Sequence, residues 1–142
     1  MSALDSKFTT PNEIAQIFSL AAFPSSYTAS GWANIRGFDN VEFLFAISDQ
    51  QSVTDLYVKI EYTDNNSSSR VFPVTVEELD SSASPPVVNQ YEYVISAQGC
   101  FSGSKSYYGI PCPTHGQFMR VSFYGGPSVG TDQVQVFIHK KA

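Results

Sequence analysis

Residues 55–63 read Asp-Leu-Tyr-Val-Lys-Ile-Glu-Tyr-Thr, an alternation of apolar and polar side chains. Successive side chains of a β-strand leave opposite faces, so one apolar row would face a core while Lys59 and Glu61 face water. The apolar row consists of Leu56, Val58, Ile60 and Tyr62. The segment therefore predicts a half-buried strand, and the same rule locates the other strands of the chain.

Seven other runs alternate in this way and are bounded by residues that favour turns. They are residues 28–35, 41–47, 70–77, 90–98, 106–110, 117–124 and 133–140. Residues 80–89 contain two consecutive prolines and are predicted to form a longer exposed crossover. Eight strands without intervening helical patterns predict an all-β fold, a two-sheet antiparallel β-sandwich. The strand number favours the jelly-roll type, and an immunoglobulin-like sandwich is the main rival.

The segment before the first strand has the signature of a helix. Thr10 and Glu13 have the spacing of a capping box, and Pro11 stands at the first helical position. Apolar residues then follow at helical spacing. These are Ile14, Ile17, Phe18 and Ala21.

We therefore predict a short N-terminal helix or arm over residues 1–24 and a jelly-roll domain over residues 25–142. The alternative is an extended arm or an additional edge strand. Gln16, Phe18 and Leu20 also allow the alternation of a strand.

Composition narrows the classes of partner. The chain of 142 residues is 42% hydrophobic and 14% aromatic, which is typical of a globular domain with one core. Its net charge is −5 with only eight Lys and Arg residues, so nucleic acid is not an expected partner. Apolar runs are too interrupted for a membrane protein. No secretory signal is recognisable at the N-terminus, and synthesis in a cytoplasm is expected.

The residues that carry chemistry do not form a catalytic set. The sequence contains neither a nucleophile elbow nor a phosphate-binding glycine loop, so we predict no enzyme and no cofactor. Cys100, Cys112 and His115 lack the paired spacing of a structural zinc site, and no metal is predicted. Cys100 and Cys112 would form either a disulfide across a loop or two reduced, packed thiols. The missing secretory signal favours the reduced thiols.

Aromatic and apolar residues outside the core rows are candidates for binding. Outward residues of this type indicate contact with another surface, unless loops or the N-terminal segment cover them. The candidate interface residues are Ile14, Ile17, Phe18, Tyr57, Phe118 and Phe137. If the loops converge, three further aromatic residues would form a stacking platform for a sugar ring. They are Trp32, Tyr107 and Tyr108.

In residues 30–43 a tryptophan strand leads through a Gly-Phe turn into an apolar strand, and residues 55–64 form a strand that ends in an acidic turn. This pattern resembles small jelly-roll virion proteins of tailed bacteriophages. Residues 118–124 and 134–138 are similar to the last two strands of the same unit. The resemblance covers residues 28–140, and it assigns no functional residue.

The resemblance implies a non-enzymatic virion structural protein, first of all a capsid decoration (cement) protein that binds the phage head. It also implies self-association, with a homotrimer expected, and capsid or tail proteins as partners. Residues 1–24 would then be the candidate segment for clasping a neighbouring subunit. The protein would reach the virion after synthesis in the host cytoplasm. The alternative is a carbohydrate-binding or receptor-recognition β-sandwich module, including a tail or baseplate component, with a glycan as its ligand.

Overall fold

Twelve strands account for most of the part of the chain that the structure describes. The computed structural model describes residues 12–48, 55–65, 70–74, 76–80, 82, 84–85, 87–91, 93–95, 105–125 and 132–142. The strands are β1 (Glu13–Ala22), β2 (Thr28–Ala29), β3 (Ala33–Asn34), β4 (Asn40–Ser48), β5 (Leu56–Thr63), β6 (Phe72–Val74), β7 (Val76–Asp80), β8 (Val87–Tyr91), β9 (Tyr93–Ile95), β10 (Lys105–Pro113), β11 (Phe118–Gly125) and β12 (Gln133–Lys141).

The strands form two main antiparallel sheets. One has four strands in the order β1-β12-β4-β10. The other has six, with β2-β11-β5-β6 as its path, while β3 also pairs with β11 and β9 with β5. Strands β7 and β8 pair with each other in a separate two-stranded sheet. The predicted all-β, antiparallel, two-sheet sandwich is thereby confirmed.

The core lies between the two main sheets and is built from the predicted alternating rows. Leu56, Val58 and Ile60 are fully buried, as their alternation predicts. Across the core, the ring of Phe45 on β4 meets the ring of Phe123 on β11 edge to face, with centroids 6.1 Å apart. Fully burying a side chain of this size contributes about 1.5–3 kcal/mol, so these rows dominate the stability of the sandwich.

The predicted N-terminal helix is wrong. Residues 13–22 form strand β1, which pairs antiparallel with β12 along the edge of the four-stranded sheet. Without β1, the backbone groups on that side of β12 would lack strand partners, and this pairing outweighs local capping signals of about 1 kcal/mol. Residues 10 and 11 lie outside the described part of the chain. The predicted division after residue 24 stays a prediction, although β1 belongs to the same sheet as β12 and β4.

The pairing of β1 with β12 is irregular, and this changes which face of the sheet its apolar side chains lie on. The register shifts between Gln16 and Phe18 and again between Phe18 and Ala21. The shift turns Phe18 toward the core, where its ring meets Phe123 edge to face at 4.8 Å. A strict period of two is lost in such a bulged strand. This explains why apolar spacing alone indicated a helix here.

The predicted strand over residues 28–35 is divided into β2 and β3. Between them, the amide of Gly31 donates a hydrogen bond to the carbonyl of Ile17, with the two atoms 2.8 Å apart. The hydroxyl of Ser30 accepts a hydrogen bond from the amide of Val121 at 3.1 Å. The interruption therefore ties β1 of one sheet to the segment that borders β11 of the other.

Candidate binding face

Strand alternation places a group of apolar side chains on the outer face of the four-stranded sheet, away from the core. We call this surface the apolar face. It contains a shallow groove of about 450 Å³. The groove is lined by Ile14, Glu42, Leu44, Ala46, Tyr107, Tyr108, Gly109 and Phe137. Residues from all four strands of the sheet therefore meet at one site.

The register of the strands explains the shape of the groove. Phe137, Leu44 and Gly109 lie side by side in one row across β12, β4 and β10. Since Gly109 has no side chain, this row ends in a gap on β10. In the neighbouring row Tyr107 lies beside Ala46 and stands out from the sheet, with 73% of its surface exposed. A protruding ring and a gap thus lie two residues apart on one strand.

Charged groups lie at one end of the groove. A Cβ atom built on Gly109 would lie 2.7 Å from Oε2 of Glu42, so the Glu42 carboxylate extends over the gap. The other oxygen of this carboxylate is 3.7 Å from Nζ of Lys141. Lys141 is therefore balanced by an acidic group of the same sheet, and the centre of the groove stays apolar.

The outer face of the six-stranded sheet, which we call the paired face, is also aromatic but is differently organised. The rings of Tyr57 and Tyr124 are stacked with centroids 4.9 Å apart. Tyr27 meets Tyr124 edge to face at 4.6 Å, and Nζ of Lys59 lies 4.2 Å from the centre of the Tyr27 ring. Each of these rings therefore has a partner within the chain.

Trp32 belongs to the paired face as well. Cζ of Arg120 lies 4.2 Å from the centre of its ring, and Nε of Arg120 donates a hydrogen bond to Oε1 of Glu61 at 3.0 Å. Arg120 therefore links a ring and a carboxylate. The three predicted stacking residues are not brought together. Trp32 lies on one outer face and Tyr107 on the other, while Tyr108 borders the groove but packs against the core.

The six predicted interface residues are distributed over several surfaces. Ile14 and Phe137 line the groove, and Ile14 has 63% of its surface exposed. Ile17 and Phe18 are half-buried and pack against the core, and Tyr57 lies on the paired face. The sixth residue, Phe118 on β11, is half-buried opposite Thr63 and Asn34.

Four residues of the groove were missed by sequence reasoning. Glu42, Leu44 and Ala46 occupy outward positions of strand β4, and Gly109 leaves the gap on β10. A signal for two of them exists in the sequence. Residues 43–47 are apolar without interruption, and in a strand that is wet on one face every second residue should be polar. An uninterrupted run of this kind indicates a strand that is apolar on both faces.

Cys112 lies on the inner side of β10, where it is buried and free. Its Sγ is 3.2 Å from the carbonyl oxygen of Pro113. Burial raises the pKa of the Cys112 thiol, because a thiolate would lose its hydration there. Cys100 lies outside the described residues, so the predicted choice between a disulfide and two thiols stays open for the pair.

The described residues contain neither a cluster of metal-binding side chains nor a membrane-spanning helix. Within the described ranges, no three His, Cys, Asp or Glu side chains are grouped so that they could hold a metal ion. In the same ranges no helix is long and apolar enough to cross a membrane. Comparison of the chain with protein-family models, with curated proteins and with solved structures found no match.

Proposed function

We propose that the sandwich is a jelly roll. Strands β6 and β9 both pair with β5, at residues 60–62 and 56–58, so they act as one interrupted strand. Strands β2 and β3 likewise share β11. Counted in this way, the described part of the chain has eight main strands. The first sheet has the order 1-8-3-6 and the second 2-7-4-5, which is the order of a jelly roll with a β7–β8 insertion.

We propose further that the protein is a non-enzymatic virion structural protein of a tailed bacteriophage, first of all a capsid decoration protein. The observation that carries this proposal is the apolar face. Ile14 and Tyr107 are mostly exposed there, next to the half-buried Leu44 and Phe137. An exposed apolar group assembled from four strands is typical of a surface that contacts another protein. An assembly protein needs such surfaces toward its own copies and toward the lattice.

Virions offer the direct test. Particles would be purified from a host that carries this sequence, and their proteins quantified by mass spectrometry. We expect the chain in a fixed ratio to the major capsid protein, present in purified heads and absent from purified tails. Particles of a deletion strain should lack it, and a gene copy supplied in trans should restore it. A chain that is expressed but absent from purified particles would overturn the proposal. If the chain were found in a fixed ratio to tail proteins, the proposed location would change from the capsid to the tail or baseplate.

A glycan ligand is the second candidate function, favoured by the exposed ring of Tyr107 in the same groove as the Glu42 carboxylate. Sugars are held by an aromatic platform together with polar groups at its border. Because Trp32 packs on Arg120, its fluorescence would not report on the groove. The variant Trp32→Phe/Tyr107→Trp places the only tryptophan at the platform. Saturable fluorescence changes with a sugar selected on a glycan array would support this function, and a silent array would exclude it.

A further inference from the structure

We infer that a second copy of this chain packs on the apolar face, with the two four-stranded sheets related by a two-fold axis. This inference rests on the proposed assembly function and names the partner of the face. A two-fold contact uses the same surface on both copies, so the surface must complement itself. The groove meets this requirement in shape and in charge.

The shape argument comes from β10. Tyr107 protrudes from the sheet, and Gly109, about 7 Å further along the same face, leaves a gap. A two-fold axis that lies between the faces and perpendicular to the strands places β10 antiparallel over β10 of the second copy. If the axis passes midway between these residues, Tyr107 of each copy lies over Gly109 of the other, and the Glu42 side chain that extends over Gly109 turns aside to admit the ring. On β4 the same axis places Leu44 over Ala46.

Charges agree with the same arrangement. Lys105 precedes Tyr107 on the exposed side of β10, and Pro111 follows Gly109. Glu42 is paired with Pro111 in the sheet register. The axis that exchanges Tyr107 and Gly109 also brings Lys105 of one copy over Pro111 and Glu42 of the other. The contact therefore places an ammonium group near a carboxylate twice, once on each side of the axis.

The edges of the sheet favour contact through the face. One edge is β10, where Pro111 and Pro113 have no amide hydrogen to donate to an added strand. The other edge is β1, whose register is irregular at two places. A second copy can therefore extend the four-stranded sheet only with difficulty at either edge. The exposed apolar face offers the better contact, with two sheets packed at the usual spacing of about 10 Å.

The experiment measures molecular mass by sedimentation velocity of the full chain over micromolar to sub-millimolar concentrations. An even number of copies is expected: a dimer, or a hexamer if the two-fold contact joins proposed trimers. A monomer or an isolated trimer over the whole range would overturn the inference. A trimer would not contradict the proposed function, since incorporation into virions is measured separately. A monomer would also contradict the self-association that the proposed function includes.

Matched variants locate the contact. Tyr107→Ala removes the protruding ring, and Gly109→Val fills the gap, where the neighbouring atoms belong to the movable Glu42 side chain. Each should weaken the even-numbered assembly by about thirtyfold, as truncation of a central aromatic residue does. Val94→Ser is the control, because Val94 is equally apolar and 49% exposed but belongs to β9 of the other sheet. Loss of assembly with the control alone would contradict the inference.

Reversing the charges of Lys105 and Glu42 tests whether they face each other across the contact. A role of either residue in the fold alone would not produce recovery of assembly in the double variant. Lys105→Glu and Glu42→Lys should each weaken the assembly, and the double variant Lys105→Glu/Glu42→Lys should recover most of the loss. If the single variants have no effect, or if the double variant is no better than the worse single one, the two groups do not face each other and the proposed axis is wrong.

Discussion

The two outer faces of the sandwich are both rich in aromatic residues, but they use them differently. On the six-stranded sheet Tyr124 contacts two rings, and Arg120 contacts both a ring and a carboxylate. On the four-stranded sheet Tyr107 stands 73% exposed beside a gap, and Ile14 is 63% exposed. The side chains of the first face therefore contact one another and stabilise the fold, whereas those of the second stay exposed.

This difference shows that aromatic content alone does not locate a binding site. A ring whose faces are covered by its neighbours has lost most of the apolar surface that a ligand could bury, and it contributes to folding instead. A ring without neighbours gains little for the monomer. Substitutions on the two faces should therefore separate stability from association.

The largest effect is expected for Tyr124→Ala on the paired face. Two ring contacts are lost together, at 4.9 Å with Tyr57 and at 4.6 Å with Tyr27, and each aromatic pair is worth about 0.5–1.5 kcal/mol. We expect the free energy of unfolding in urea to fall by about 2 kcal/mol. Tyr124→Phe keeps both ring contacts and should change it little. If the alanine variant had a negligible effect, the rings of the paired face would contribute no more to the free energy of unfolding than those of the apolar face.

A smaller loss of stability is expected for Arg120→Met. The variant keeps most of the apolar stem but removes the cation from the Trp32 ring and the hydrogen bond to Glu61. Arg120 and Glu61 are only partly exposed, so we expect a loss of about 1 kcal/mol in thermal or urea unfolding. Comparison with Glu61→Gln and with the double variant Arg120→Met/Glu61→Gln isolates the contribution of the ion pair to the free energy of unfolding. Near-additive effects of the two single variants would mean that the pair contributes nothing to stability.

For Tyr107→Ala on the apolar face we expect the free energy of unfolding of the monomer to change by less than about 0.5 kcal/mol. The reason is that Tyr107 is largely exposed. The measurement is urea unfolding at a concentration below that of any association. A loss comparable to that of Tyr124→Ala would show that Tyr107 belongs to the fold, and the contrast between the two faces would disappear.

The smallest effect concerns Cys112, which lies beneath the apolar face on the inner side of β10. Because burial raises the pKa of this thiol, the unfolded chain loses the proton first as the pH rises. The contribution to stability is complete below the unfolded pKa of about 8.5 and decreases above it. In a Cys100→Ser background, the free energy of unfolding should decrease slightly more steeply between about pH 8 and 9.5 than it does in the same background with Cys112→Ala. Equal slopes would indicate a hydrated thiol.

Much of the sandwich could be predicted from local pattern. The strands around Val58 and Val136 were located within a few residues, because a half-buried strand must alternate whatever its partners are. Strand β1 was predicted only as the alternative to a helix, since its bulges break the alternation and its pairing partner is more than a hundred residues away. Cys112 was assigned to a loop border but lies in the extended β10, whose prolines are tolerated at a sheet edge.

The candidate site was predicted only in part. Ile14, Phe137, Tyr107 and Tyr108 were selected from the sequence for two different reasons, and the structure brings them to one groove. Trp32 was grouped with the tyrosines because of its chemistry. It lies instead against Arg120, and no local pattern reveals which outer face a strand will occupy.

The sequence by itself determined most of the strand segments, although not β1, and which of their residues face the core, because alternation is a local property of an extended backbone. Only the tertiary structure decided that β12 lies between β1 and β4, that Tyr107 stands beside a gap, and that Arg120 covers Trp32. Neighbours in a sheet are chosen by long-range pairing and by packing of the whole core. The distinction between an outer face whose side chains pack on one another and an outer face whose side chains stay exposed therefore appears only after the strands are assembled.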